Sequence, residues 1–278
     1  MTYARRMRRF VLIASLFALA GCSSPEHLAV VANSPGSLGV GEQRITVGYR
    51  SESGEDLANP QVEVDLVVSR EGGEDQRVDT EFVWIAEPIR GVYVAHVTFD
   101  QAGEWTAVLE PEEGPRTRDT PFFIDAEPST PEVGEPAPAS VTPTSGDLDL
   151  AELTTDPAPD PGLYEVSVDE AVTNGTPALI TFATPAYCST ATCGPMLEQV
   201  KSLRAAMPDA GMDWIQVEVY DLTQGNPVDH VVPAAVDWGL PSEPWIFVVD
   251  AEGVVTARLE GVVSDAELQS VVEAVLGA

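Results

Sequence analysis

The sequence predicts two domains of different class, an all-β sandwich over 39–125 and a mixed α/β domain over 161–278. Short β-branched and aromatic segments separated by turn residues fill the first region, whereas the second alternates strand-like runs with segments of helical periodicity. The segment 126–160 between them is rich in Pro, Glu, Ser and Thr. Because it offers little apolar surface to bury, we expect a semi-extended linker there. Residues 22–38 predict a shorter tether ahead of the sandwich.

The N-terminal residues have the features of a secretory signal. Four arginines within residues 5–9 precede a short apolar run over 10–19. This run is shorter than the ~20 apolar residues that a membrane-spanning helix needs. Residues 19–22 (LAGC) resemble the lipobox of bacterial lipoproteins, in which the cysteine carries the lipid and becomes the new N-terminus. The resemblance implies a signal peptide over 1–21, acylation of Cys22 and a lipid-anchored, extracytoplasmic location in the cell envelope.

The chain is strongly acidic. It has 14 Lys and Arg against 45 Asp and Glu, a formal net charge of -31. A surface of this sign repels nucleic acid and anionic lipid head groups, so we expect no nucleic-acid partner and membrane contact only through the lipid. The sequence lacks a D-x-D-x-D-G loop, which argues against a calcium site of that type.

The first domain contains short segments with the alternation typical of half-buried strands. They are 44–49, 62–68, 82–85, 92–99, 105–109 and 122–124. This many strands in so short a region predict an immunoglobulin-like sandwich. Within 92–99, Tyr93 and Phe99 fall on one face and His96 on the other. We therefore interpret His96 as a surface or packing residue rather than a metal ligand.

The second domain is predicted to have the element order β-α-β-α-β-β-β-α. The strands are expected over 163–168, 178–183, 214–220, 245–249 and 254–259, and the helices over 169–173, 196–207 and from Ser264 onward. Met196, Val200 and Leu203 form an apolar stripe at helical spacing. Ser264 and Glu267 have the spacing of a capping box, and a turn at 251–253 predicts an antiparallel hairpin.

Cys188 and Cys193 lie between the predicted strand 178–183 and the helix that follows it. A thiol at a helix N-terminus is close to unpaired N–H groups and the positive end of the helix dipole, both of which favour the thiolate. Cysteines at this separation can also form a disulfide if the turn between them is not α-helical. Because exported cysteines tend to oxidise, a purely structural disulfide is the alternative to redox activity.

Several motifs resemble the thioredoxin-like superfamily, particularly its membrane-tethered TlpA-type thiol–disulfide oxidoreductases. They are Phe182, the 193–195 step (CGP) that opens a helix, 240–248 (LPSEPWIFV), 250–253 (DAEG) and 259–261 (LEG). The resemblance implies a cis bond before Pro244, which would face the cysteines. It also implies substrate contacts by Tyr187, Glu243 and Pro244. Exported thiol or disulfide proteins would be the partners, together with a redox protein that resets the pair, and no bound cofactor is required.

The cysteine motif departs from this family, which carries C-G-P-C. Met196 replaces the second cysteine of that motif, and Tyr187 stands where the family has tryptophan. Aligning the Gly-Pro step with that of the family motif makes Cys193 the nucleophile. Counting residues from Phe182, as in the family, favours Cys188 instead. We prefer Cys188 as nucleophile and Cys193 as the resolving residue.

Two further functions fit the same residues. In a non-catalytic binding module, the disulfide would be structural and would only stabilise its loop. A Sco-like copper protein would use Cys188, Cys193 and His230, since two thiolates and an imidazole suit copper. A peroxidase is less well supported, because Thr184 stands one residue too far from Cys188 for the peroxiredoxin motif.

Overall fold

The computed structural model of the chain describes residues 27–277. The predicted signal peptide, 1–21, and the predicted lipid attachment at Cys22 lie outside these residues. Within 27–277, none of the helices combines the length and apolar character needed to cross a bilayer.

The N-terminal domain consists of two four-stranded antiparallel sheets packed face to face. Its strands are β1 (His27–Val31), β2 (Gly41–Ser51), β3 (Val64–Ser69), β4 (Gln76–Asp79), β5 (Glu81–Ala86), β6 (Arg90–Phe99), β7 (Gly103–Pro111) and β8 (Thr120–Ile124). One sheet has the order β1-β2-β6-β5 and the other β4-β3-β7-β8. Inward side chains of both sheets share one core around Tyr93, Phe99 and Trp105. All six predicted strands are present, and His96 is exposed as predicted.

The structure corrects the predicted tether. Residues His27–Val31 form β1, which pairs with β2 and places Ala29 opposite Tyr49. The domain therefore begins before residue 39, and a tether over 22–38 is wrong for this strand. The sequence HLAVV is short, and its pairing with β2 fixes it in the sheet.

The C-terminal domain is built around a mixed four-stranded sheet. Its elements are α1 (Leu150–Leu153), α2 (Val168–Ala171), β9 (Ala178–Phe182), α3 (Cys193–Ala206), β10 (Asp213–Val217), α4 (Pro233–Asp237), β11 (Trp245–Val249), β12 (Val255–Glu260) and α5 (Asp265–Leu276), with 3-10 turns at Pro161–Leu163 and Pro227–Asp229. The strand order is β10-β9-β11-β12. Strand β10 is parallel to β9, whereas β11 is antiparallel to both β9 and β12.

The central strands are apolar throughout because both faces of this sheet are covered. In β11, Ile246 and Val248 face the core formed with α3 and α5, whereas Trp245 and Phe247 face the core on the opposite side. Only half of the predicted capping box of α5 is present. The Ser264 hydroxyl accepts a hydrogen bond of 3.1 Å from the amide of residue 267, whereas the Glu267 carboxylate pairs with Arg44 rather than with the Ser264 amide. The cysteine-bearing end of α3 lies beyond the end of β9.

The predicted strand over 163–168 is wrong. A 3-10 turn, Pro161–Leu163, occupies its start, because the Asp160 carboxylate accepts from the Gly162 amide at 3.0 Å and caps the turn. The chain then enters α2 at Val168. Apolar residues in 163–168 are buried by this compact turn rather than by a sheet, and periodicity alone does not separate the two cases.

The segment predicted as a linker is extended but docked. The amide of Gly134 donates to Val255, and that of Ala137 donates to Gly253, at 2.8 and 2.9 Å. These bonds, together with one from Val255 to Glu135 at 2.9 Å, cover the outer edge of β12. The segment therefore does not separate the domains. It hydrogen-bonds to backbone groups that β12, as an edge strand, would otherwise leave unpaired.

Polar contacts join the two domains. The guanidinium of Arg44, on β2, donates to the Glu267 carboxylate at 2.8 Å and to the carbonyls of Glu260 and Val262. The Glu260 carboxylate in turn accepts from the Ser34 amide at 2.8 Å. Val262 packs on a small apolar cluster of β5 and β6 that includes Val92. The outer face of one sandwich sheet is thus covered by the C-terminal domain.

Candidate functional site

Cys188 and Cys193 form a disulfide at the N-terminus of α3. Their Cα atoms are 6.1 Å apart, and the loop that joins them follows β9. Cys193 is the first residue of α3, which begins three residues before the predicted start at Met196. Cys193 is fully buried, whereas Cys188 is half-buried in the loop. The two sulfurs therefore differ sharply in their access to a partner molecule.

The sulfur of Cys188 lies at the N-terminal end of the helix. The Cys193 amide donates to it at 3.4 Å, and the Thr190 hydroxyl lies 3.2 Å from it. Thr190 is held in turn by the Thr192 hydroxyl at 2.6 Å. An amide at a helix N-terminus and an adjacent hydroxyl stabilise negative charge on sulfur. The environment thus favours a thiolate on Cys188 once the disulfide opens.

A carboxylate faces both sulfurs. One oxygen of Glu243 and the two cysteine sulfurs all lie within 4.8 Å of one another. The other partner of this carboxylate is the Thr184 amide, which donates to it at 2.7 Å. Burial, and to a lesser extent the nearby charge of Glu218, raise the pKa of Glu243 to about 7 against the opposing effect of the hydrogen bonds from Thr184. Glu243 therefore exchanges a proton near neutral pH beside the redox pair.

A second acid lies behind Glu243. Glu218 follows β10 directly and is buried, and burial raises the pKa of its carboxyl. Its carboxylate accepts from the Thr155 amide at 2.6 Å and the Thr154 hydroxyl at 3.0 Å. The Thr184 amide donates to Glu243, and the charge of Glu218 raises the pKa of Glu243, so the two acids are electrostatically coupled. The docked segment over 126–160 therefore contributes to the site.

Glu218 is a residue that the sequence prediction missed. The signal was present, because the only charged residue of the mostly apolar strand sequence WIQVEVY at 214–220 is a glutamate. A charged residue in a strand that must be buried on both faces needs hydrogen-bond partners or protonation. The partners, Thr154 and Thr155, come from the distant segment that the sequence predicts to be a semi-extended linker, so the sequence does not indicate them.

Glu243 directly precedes Pro244 at the start of β11. The peptide bond between them is cis, as the family resemblance implies, and Pro244 is buried. The mixed sheet has the strand order β10-β9-β11-β12. A cysteine-bearing helix follows β9, and a cis-proline precedes β11. The C-terminal domain is thioredoxin-like.

Tyr187 and His230 are the remaining predicted site residues, and only Tyr187 lies beside the disulfide. Tyr187 is 42% exposed beside Cys188, and its ring is edge-on to that of Tyr220 at 6.4 Å. His230 is exposed at the end of a 3-10 turn and, within the described part of the chain, does not belong to the cluster around the sulfurs. The third group that the structure brings to the cysteines is Glu243.

Comparison with known proteins gives likenesses to solved structures. A protein from Chlorobium tepidum provisionally assigned as the thiol:disulfide interchange protein DsbE is 15% identical, with a TM-score of 0.38 over 53% of this chain and 100% of that one. A thiol:disulfide interchange protein of the thioredoxin family from the same organism is 17% identical, with a TM-score of 0.36 over 52% and 97% of the two chains. The Lin-41 filamin domain is 16% identical, with a TM-score of 0.24 over 37% and 99%.

No family model matches the chain, and no curated protein matches it significantly. The C-terminal domain has a thioredoxin-like fold by its own strand order and by the position of α3 after β9.

Proposed function

We propose that the protein is a membrane-anchored, extracytoplasmic thiol–disulfide oxidoreductase that acts on exported proteins through Cys188 and Cys193. The observation that supports this most strongly is the asymmetry of the pair. Cys188 is half-exposed and accepts from the helix N-terminus, whereas Cys193 is buried against the carboxylate of Glu243. A disulfide with one accessible sulfur and a proton donor beside the other is arranged for exchange.

Exchange begins with the oxidised pair and a client thiolate. The thiolate attacks Cys188, the Cys188–Cys193 bond breaks, and its electron pair stays on the sulfur of Cys193. That sulfur takes the proton of Glu243, which solvent later replaces. A second client thiolate attacks the client sulfur of the mixed disulfide and releases Cys188 as a thiolate. The client has then lost two electrons and gained a disulfide, and the protein has become a dithiol.

The reverse sequence reduces a client disulfide, and the potential of the partner that resets Cys188 and Cys193 decides the direction. Pro244 and Tyr187 flank the pair, and the family resemblance assigns them to contact with the client chain. The lipid expected on Cys22 would hold this chemistry at a membrane surface, where acylation gives stable anchoring when two or more chains are attached. Neither step requires a bound cofactor.

We also infer that the sandwich is immunoglobulin-like. The sheet β1-β2-β6-β5 corresponds to the A-B-E-D order of that fold, counted along the chain. The sheet β4-β3-β7-β8 corresponds likewise to C′-C-F-G.

The reduction potential of the pair separates an exchange catalyst from a binding module with a structural disulfide. We expect a midpoint above about −300 mV, since structural disulfides of secreted proteins are usually more stable than that. The oxidised protein should also convert a reduced two-cysteine peptide to its disulfide, and the Cys188→Ser/Cys193→Ser variant should not. A midpoint well below −300 mV, together with no peptide oxidation, would overturn the proposal.

Metal handling is a second candidate, because one observation favours it. The sulfurs of Cys188 and Cys193 and a carboxylate oxygen of Glu243 lie within 4.8 Å of one another, a spacing that a soft metal ion can bridge once the disulfide is reduced. Titration of the reduced protein with Cu(I) or Zn²⁺ tests it, with Glu243→Gln as the informative variant and His230→Ala as the comparison. Binding weakened by Glu243→Gln alone supports this site, and binding weakened by His230→Ala supports the Sco-like set instead.

A further inference from the structure

A cleft between the sandwich and the thioredoxin-like domain opens beside the disulfide. Its volume is about 310 Å³. The sandwich wall comes from β1, β2, β5 and β6, and the opposite wall from the cysteine loop and the residues before Pro244. Ser189, Thr190 and Glu243 line it on the side of the thioredoxin-like domain. An occupant of this cleft would therefore touch the sandwich and the redox loop at once.

The two walls are fixed relative to each other. The buried pair of Arg44 with Glu267 and the bonds from Glu260 to the loop after β1 hold the domains together behind the cleft. The guanidinium of Arg90 also reaches across to the Thr190 carbonyl at 3.5 Å. Because a rigid groove loses little conformational freedom on binding, this geometry suits recognition of an extended chain.

The charges on the sandwich wall indicate the kind of chain. Fourteen Lys and Arg occur in the sequence, and four of them precede residue 27, which leaves ten in the described residues. Seven of those ten pair with a carboxylate within 27–277. The three that do not are Arg50, Arg90 and Arg118, and the first two both line the cleft. In a protein of net charge -31, two uncompensated arginines in one cleft point to an anionic occupant.

Two carboxylates also line the cleft, and within 27–277 neither of them forms an ion pair with Arg50 or Arg90. Glu260 is engaged by Asn33, Ser34 and Ser37 in the domain interface. Glu243 faces the sulfurs and accepts from Thr184. Apolar side chains complete the surface, since Val30 and Ile85 line the cleft and Val30 is 37% exposed. Ile89, which precedes Arg90 in the turn before β6, is 80% exposed.

We propose that this cleft binds an extended segment of a client polypeptide that carries acidic side chains next to its reactive cysteine. Arg50 and Arg90 contact the acidic side chains, while Val30 and Ile85 contact apolar groups between them. The cysteine of the segment is thereby presented to Cys188. This inference rests on the proposed exchange function, and it gives the sandwich a role in choosing the client.

Two synthetic peptides test the proposal with the full-length protein. Each carries two cysteines in the reduced state, and they differ only in having two Glu or two Gln beside the first cysteine. The rate of peptide oxidation is measured at pH 7 and low ionic strength for the wild type, for Arg50→Gln/Arg90→Gln and for Arg50→Lys/Arg90→Lys. Arg118→Gln is the matched control, because this arginine also lacks a carboxylate partner within 27–277 but lies outside the cleft.

We expect the wild type to prefer the acidic peptide about tenfold in kcat/KM, as two partly shielded ion pairs predict. The Gln double variant should lose this preference, the Lys variant should keep part of it, and Arg118→Gln should match the wild type. Added salt should reduce the preference, since it screens the contacts. Equal rates for the two peptides with the wild type, or a preference that survives in the Gln variant, would overturn the proposal.

Binding of the same peptides with Ser in place of Cys distinguishes a failure of the exchange function from a failure of the cleft assignment. If fluorescence anisotropy shows arginine-dependent binding of the acidic peptide while neither dithiol peptide is oxidised, the exchange function is wrong and the cleft assignment stands. If both dithiol peptides are oxidised equally and neither Ser peptide binds preferentially, exchange is right and the cleft assignment is wrong.

Discussion

A carboxylate oxygen of Glu243 lies within 4.8 Å of the sulfur of Cys193, in a site where burial raises the pKa of that carboxyl to about 7. Cys193 is the sulfur that leaves when a partner attacks the exposed Cys188. A protonated carboxyl there can donate to the leaving sulfur, and an ionised one can remove the proton when the disulfide re-forms. The pair and the acid therefore form one proton-coupled unit.

The first prediction concerns the pH dependence of exchange. In Glu243→Gln the leaving sulfur loses its proton donor, while the amide oxygen can still accept from Thr184. We expect the oxidation rate of a dithiol peptide below pH 7 to fall about hundredfold, the lower end of the range for general acid catalysis. The break that the wild type shows near pH 7 should disappear. Glu252→Gln, an exposed acid in the turn before β12, is the control. An unchanged pH–rate profile in Glu243→Gln would exclude this role.

The same carboxyl predicts a pH dependence of stability. The pKa of Glu243 is higher in the folded protein than its ordinary value of 4.5, so the folded state binds more protons between these values. Its contribution to stability is complete below about pH 4.5 and is lost as the pH rises through about 7. Relative to the wild type, Glu243→Gln should therefore become more stable as the pH rises from 4 to 8. Urea unfolding of both oxidised proteins across this range measures the difference, and a constant difference would contradict the prediction.

Much of this fold could be predicted from local sequence patterns, and the site only in part. Alternation predicts six of the eight sandwich strands, and helical spacing predicts α3 and α5, because each pattern reflects a face that must be buried. The pairing of Cys188 with Cys193 and the position of Pro244 followed from motifs. Contacts between distant segments could not be predicted, because Thr155 contacts Glu218 and the 126–160 segment covers β12 only after the chain has folded.

The domain interface could not be predicted from the sequence either. Arg44 is the first residue of the predicted strand 44–49, and its side chain is only 6% exposed against Glu267. Nothing in the pattern of β2 indicates that a second domain covers that face. The composition of 126–160 suggested separated domains, whereas the structure packs them against each other.

The interface gives a third prediction. Arg44→Ala leaves the partly buried Glu267 carboxylate without its cation and removes donors from two carbonyls. Loss of one member of a buried pair costs about 3 kcal/mol, so the denaturation midpoint should fall clearly. We also expect the unfolding transition to separate into two steps as the domains uncouple. Arg116→Ala, which removes a solvent-exposed pair with Asp119, should leave the midpoint nearly unchanged. Similar effects of both variants would argue against the interface.

The fourth prediction concerns the lipid anchor. Cys22→Ala removes the only group that the lipobox resemblance assigns to acylation, and the mature protein has no other expected membrane contact. We expect the wild type to be recovered with the membrane fraction and to incorporate a labelled fatty acid, and Cys22→Ala to do neither. Persistent membrane association of unlabelled Cys22→Ala would show that the N-terminal segment anchors the protein by other means.

The most direct test of the account compares the two cysteines one at a time. Reduced Cys193→Ser keeps the half-exposed Cys188 at the helix N-terminus, and reduced Cys188→Ser keeps the buried Cys193. With glutathione disulfide, mass spectrometry should show the mixed disulfide forming at least about tenfold faster on Cys188, because exposure and the helix N-terminus both favour its attack. Equal reaction of the two thiols, faster reaction of Cys193, or reaction of neither would contradict the assignment of Cys188 as the attacking residue.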